Sequence, residues 1–328
     1  KKELTEAVRN ELLKPAVMEE RLQLLSDGEI AAYEHAIREG GRYTPGPEEL
    51  KKLERFYELG YIILYKDDRA EVPTDAAEAY RRIDTPEFRE KRRGAFWMYH
   101  CLLFVDILYG SAPESVVCRL LEKCLDSPVS PQLFTELWNR IPEKLNPCLR
   151  LDGKAVSRNA QESGVYQEIE KLQGEKDFFI PSPEEILDYT EEGYPTADPS
   201  YLRLKSFLTG TLMLDEGSTA ELLPAIWGHV STGARASDIR DIFYQMEIPF
   251  PSRMAEREFK AIMTDVRDHT RLLLNRGWTR QEIRDRERAD RIPAVLLPNG
   301  ASGEMLAGSR KIYPNDPCPC GSGKKYKQ

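Results

Sequence analysis

Histidine and cysteine are scarce: the 328 residues hold four of the first and six of the second. Six cysteines cannot staple a chain of this size, which excludes a disulfide scaffold. Cys101, Cys118, Cys124 and Cys148 stand among apolar neighbours and read as reduced core residues. Long hydrophobic runs are lacking as well. The longest, Phe96 to Tyr109, is broken by His100 and Asp106, whereas a membrane span takes about 20 apolar residues. It predicts a buried helix. No basic, apolar and small-residue series opens the chain, so no secretory leader is expected. Positive charge is not in excess: 47 Lys and Arg against 55 Asp and Glu leave a net −8, which argues against a general polyanion binder. His-Glu-x-x-His, Gly-x-Ser-x-Gly and Gly-x-Gly-x-x-Gly patterns are absent too, leaving hydrolase and dinucleotide readings without support. Together these absences predict a soluble, cytoplasmic protein with no membrane contact.

What is there is an ordinary globular balance, 41% hydrophobic and 31% charged, in a chain long enough for two or three domains. Its punctuation is helical. Leu4, Val8 and Leu12 fall at helical spacing, and Pro15 suits the first turn of a second helix. Ser26 with Glu29 forms a capping-box signal for a third, which Gly40-Gly41 ends. Pro47 begins a fourth, with Leu50, Leu53, Phe56 and Tyr57 on its apolar side and Gly60 as its stop. The period then changes: Tyr61 to Tyr65 is β-rich, Lys66 to Arg69 is a turn, and Ala70 to Val72 returns. Thr74 is expected to cap the short helix that follows. Two helices and a hairpin resemble a winged helix-turn-helix.

The same order is expected again. A long helix follows Thr85-Pro86 as far as Tyr109, and others run from Pro113 to Cys124 and from Pro131 to Ile141, the last capped by Ser130. Cys148 to Leu151, Asp152-Gly153 and Lys154 to Val156 then give a two-residue hairpin signal. Beyond it the spacing predicts a polar helix over 161–172, an extended Phe178 to Pro181, and helices over 183–189, 199–208, 220–230, 236–246 and 252–275. Thr279 with Glu282 starts a charged helix that fades near Arg291. From Ile292 to Lys311 the composition turns to Pro, Gly, Ser and Ala without periodicity, a linker pattern.

The last residues carry chemistry. Cys318 and Cys320 stand one residue apart, with Pro317 and Pro319 to bend the backbone between them and Gly321 and Gly323 to allow a tight turn. Lys324, Lys325 and Lys327 favour the thiolate, the form that binds metal. This reads as half of a zinc knuckle. Residues 312–328 resemble the SEC-C motif, named for the carboxy terminus of a bacterial preprotein-translocase ATPase. That pattern is Cys-x-Cys, eight residues, then Cys followed by Cys or His. Cys318 and Cys320 match the first two ligands and Gly321 through Gln328 the spacer, so residues 1–328 supply two of the four donors that a closed structural zinc site takes. The resemblance implies zinc as the cofactor and a protein partner met through Lys324, Lys325, Tyr326 and Lys327.

Three competing signals weigh less. Gly321-Ser322-Gly323-Lys324 lacks the upstream Gly and the following Ser or Thr of a phosphate loop. For nucleic acid, the helix from Pro47 to Leu59 mixes four Glu with its Lys and Arg, leaving Arg89 to Arg93 and the stretch from Arg284 to Arg291 as the better basic candidates. For an enzyme, Asp265, Asp268 and His269 share one helix, and Asp265 and His269 share a face. An exposed acidic helix with an incidental His is the plainer explanation.

The expected fold is mainly α: helical bundles with two winged-helix-like helix-helix-hairpin units and a C-terminal zinc-knuckle fragment. The expected divisions are a winged-helix-like unit over 1–84, a second helix-helix-hairpin unit over 85–158, a helical domain over 159–291, the linker over 292–311 and the partial motif over 312–328. The expected function is that of a non-catalytic adaptor or regulator recruiting a partner through its tail. A nucleic-acid-binding regulator and an enzyme of unassigned chemistry are the alternatives.

Overall fold

The computed structural model describes the backbone of residues 2–290 and the side chains of 3–288. The expected linker and knuckle lie outside the described residues. The described fold is mainly helical, with sixteen α-helices and two small sheets.

Helix α1 (Lys2–Leu12) gives way to α2 (Pro15–Leu22), where Pro15 takes the first-turn position that needs no amide hydrogen. The capping box forms at α3 (Asp27–Glu39): the Ser26 hydroxyl accepts from the Glu29 amide at 3.1 Å, and the Glu29 carboxylate accepts from the Ser26 amide at 2.7 Å. Gly40, at φ +62°, ends the helix. After α4 (Pro47–Glu58) come β1 (Ile63–Leu64) and β2 (Ala70–Glu71), paired antiparallel. Tyr43 exchanges two backbone hydrogen bonds with Ala70 and so adds a third edge that the sequence did not signal. Helix α5 (Thr74–Ile83) starts differently from expectation. Thr74 is its first helical residue, and Pro73 holds the cap position without a side-chain bond. These elements close on a core in which Tyr33 stacks on Phe56 at 4.0 Å and meets the edge of Tyr80 at 5.4 Å.

Helix α6 (Pro86–Leu108), capped by Thr85, places Phe88 in that first core and Ala95 to Leu108 in a second. Buried Arg92, between the two stretches, donates to the Leu25 carbonyl and the Asp27 carboxylate. Then come β3 (Ser111–Pro113), α7 (Glu114–Leu125), α8 (Pro131–Arg140), β4 (Cys148–Leu151) and β5 (Lys154–Ser157). The three strands are antiparallel in the order β3-β5-β4. The hairpin turns at Asp152 and Gly153, at φ +49° and +73°, as a two-residue loop of this hand requires.

The expected polar helix is two, α9 (Arg158–Glu162) and α10 (Tyr166–Gln173), because Gly164 at φ +72° breaks the chain between them. Helix α11 (Pro183–Leu187) continues into a π-turn at Asp188–Glu192 that Gly193 closes. Helices α12 (Pro199–Gly210), α13 (Glu216–Ser231), α14 (Ala236–Gln245) and α15 (Arg253–His269) complete the second core. Helix α13 begins four residues before the expected Ala220, since Asp215 accepts from the Ser218 amide at 2.9 Å. Helix α15 ends at His269 and not at Asn275. There Arg271 turns into an antiparallel bridge with Thr279, and α16 (Arg280–Asp290) opens with the expected Thr279–Glu282 box. The chain divides into two compact units, Lys1–Arg284 and Asp285–Gln328, and both hydrophobic cores belong to the first.

Candidate functional site

The metal candidates Cys318 and Cys320 and the partner candidates Lys324, Lys325, Tyr326 and Lys327 lie outside the described residues. Their chemistry is that of the donor set. Two thiolates suit zinc, which takes four sulfur or nitrogen donors in a structural site.

The enzyme candidates fall inside, and their charges are engaged. Asp265 pairs with Arg203 at 2.9 Å and Asp268 with Arg284 at 2.7 Å, while His269 bonds the Asp265 carbonyl through Nδ1 at 2.9 Å. Among the described residues no three His, Cys, Asp or Glu side chains gather to hold a metal ion.

Three of the basic candidates in the stretch Arg89 to Arg93 are similarly occupied. Arg89 pairs with Asp84 and Glu34, Lys91 with Glu87, and Arg92 with Asp27. On α4, Lys51 meets Glu192 at 3.5 Å and Arg55 meets Glu58 at 4.0 Å. Counterions supplied by the protein itself weaken a surface as a phosphate binder, because binding then releases fewer ions.

His100 sits in the apolar helix as a satisfied core residue. Its Nδ1 lies 2.7 Å from the Thr190 hydroxyl on the π-turn, and its Nε2 lies 3.8 Å from Glu191. Burial, with Arg55 as a lesser cause, pushes its pKa down to about 4. Cys101, Cys118, Cys124 and Cys148 are free thiols outside any disulfide, and burial raises the pKa of Cys101, Cys118 and Cys148, the unreactive condition.

Two polar assemblies had no signature in the sequence. Arg271, 11% exposed in its side chain, donates to Glu185, Glu282 and the Gly277 carbonyl, and its guanidinium lies 3.3 Å from the centre of the Phe179 ring. It clamps the extended segment before α11 to the start of α16. The other is a groove of about 360 Å³ between the end of α8 and strand β4, lined by Trp138, Ile141, Leu149, Glu143, Arg150 and Arg158 among others. Its members come from a helix, a loop and a strand, and no spacing rule joins them.

Comparison with known proteins speaks to the tail. A family model described as the SEC-C motif matches residues 315–328. This chain carries a SEC-C motif. It is similar to the protein translocase subunit SecA of Burkholderia vietnamiensis (strain G4 / LMG 22486), 55% identical over 40 residues, which are 12% of this chain and 4% of that protein. The SecA subunit of Variovorax paradoxus (strain S110) is 51% identical over 47 residues, 14% of this chain and 5% of that one. The chain thus spans 4–5% of the length of these curated relatives. No solved structure matches it.

Proposed function

We propose that the protein is a cytoplasmic, non-catalytic adaptor whose SEC-C tail recruits a protein partner while the helical body makes a second contact. The observation that carries this reading is the matched tail at 315–328. Cys318 and Cys320 are thiolate donors for zinc, and with two further donors they would hold the metal in a closed site. The metal would supply rigidity. The chain's own Lys324, Lys325, Tyr326 and Lys327 would present three positive charges and a ring to an acidic partner surface. The reduced thiols of the body fit the cytoplasm. None of the described helices is long and apolar enough to cross a membrane.

For the body, the order α6-β3-α7-α8-β4-β5, with β5 between β3 and β4, supports reading residues 85–158 as a winged-helix-like unit. The stretch from α3 to β2 supports the other one less well, since a single helix separates Tyr43 from β1. The second helix of such a unit can read DNA, yet here α8 carries Arg140 paired with Glu136, and Arg150 on the hairpin pairs with Glu114. Those pairs and the net −8 favour protein docking.

Affinity capture with the full chain and with a form lacking residues 312–328 tests the reading. The full chain is expected to retain a specific partner and the shortened form to lose it. Equal capture by both would remove the tail from the function.

A further inference from the structure

Strand β4 is an edge strand, and its free side opens on the groove at the end of α8. The hairpin register pairs Leu151 with Lys154 across a two-residue loop, then Arg150 with Ala155, Leu149 with Val156 and Cys148 with Ser157. Pairs flanking such a loop exchange hydrogen bonds, and the pattern alternates along the strands. Leu151 and Leu149 therefore point their amides and carbonyls at β5, and Arg150 and Cys148 point theirs outward. The other side of β5 agrees with this parity, since Ser157 donates to the Gly110 carbonyl at 2.8 Å. Asn146 Oδ1 takes the Cys148 amide at 3.0 Å. Among the described residues nothing pairs with the N–H and C=O of Arg150 or the C=O of Cys148 on the outer side.

Edge strands are commonly blunted. At β3, the opposite edge, Pro113 does this, having no amide hydrogen to donate. No proline interrupts β4. The groove beside it is lined by Trp138, Ile141 and Leu149 together with the polar Asn139, Glu143 and Asn146. At its end stands Arg158, whose guanidinium donates to the Asn146 and Glu143 carbonyls at 3.3 and 3.4 Å. Among the described residues no carboxylate pairs with it. Arg150, the second cation of the lining, already holds Glu114 at 2.5 Å, and the Glu143 carboxylate is the one acidic side chain in the lining.

We propose that this edge and groove bind an extended, acidic segment of a partner protein by strand addition. Two or three main-chain hydrogen bonds to Arg150 and Cys148 set the register. A peptide carboxylate meets Arg158 at the end of the added strand. Main-chain bonds are few, so the carboxylate carries the selectivity. The occupant supplies the body's contact in the adaptor reading, and the site rests on that reading only for a protein as the partner class.

The test uses the full chain and a displayed library of random eight-residue peptides. The expected result is enrichment of sequences with Asp or Glu at one fixed position. A synthetic peptide of the enriched sequence should shift the amide resonances of Leu149 to Leu151. It should lose at least tenfold in affinity for Arg158→Glu, and a comparable amount when its own alternate amides are N-methylated. N-methylation leaves the protein untouched, so it decides the matter even if Arg158→Glu proves unstable. Enrichment without acidic residues, equal binding of the N-methylated peptide, failure to enrich any sequence, or a double-stranded DNA fragment shifting the same amides instead would overturn the proposal. The double variant Cys318→Ser, Cys320→Ser should bind the peptide as the parent does, which separates failure of this site from failure of the tail.

Discussion

His100 has no room to be charged. It lies in the second core's longest helix, and its ring stacks at a tilt on Phe96 with centroids 4.3 Å apart. An unfolded histidine takes up its proton near pH 6.5, and the folded one near 4. Both states are neutral above 6.5, where the stability this residue gives is complete. As pH falls from 6.5 through 4 the unfolded chain binds the proton first, and up to about 3 kcal/mol is lost. Glu191, whose pKa burial raises, opposes part of this slope. His100→Gln should therefore flatten the fall in unfolding free energy between pH 6.5 and 4, as denaturant titrations at several pH values would show. An unchanged slope would remove His100 as its source. Gly94 is a steric counterpart. A Cβ there would lie 2.7 Å from Leu137 Cδ2, in a side chain that is itself buried. Gly94→Ala should cost about 1–3 kcal/mol by overpacking, lowering the melting temperature by several degrees. A variant as stable as the parent would show that α8 shifts freely.

At the scale of elements, the parts legible in the sequence are those whose cause is local. The boxes at Ser26–Glu29 and Thr279–Glu282 span three residues, and both form. The Asp152-Gly153 turn specifies its hairpin because only that loop places two residues at positive φ between matched strands. Gly153 has open space around its Cα, so Gly153→Ala isolates backbone strain. A loss of about 1 kcal/mol is expected, together with faster amide exchange in β4, and a neutral effect would mean that the turn tolerates another conformation. Non-local elements escaped. Strand β3 exists because β5, some forty residues on, lends it a partner, and Tyr43 meets Ala70 in the same way. The end of α15 was misplaced because Thr270 bonds Tyr201, on another helix, at 2.8 Å. The edge groove escaped for the same reason, since α8, β4 and Arg158 meet only in the folded chain.

For the whole molecule, sequence and fold divide the labour unevenly. The tail announces itself by residue type and spacing, and the match at 315–328 rests on those alone. The body offers no such pattern, and its charges are largely paired with one another, as at Arg89, Arg150 and Arg271. The proposed adaptor role predicts that recruitment follows the metal. The most direct measurement is retention of the captured partner as free zinc is varied, with a chain that carries the motif's two further donors and with its Cys318→Ser, Cys320→Ser form. Retention should rise with zinc for the parent, fall at least tenfold under a chelator, and stay at the chelated level for the double variant at every zinc concentration. Retention independent of both zinc and the two thiols would contradict the account.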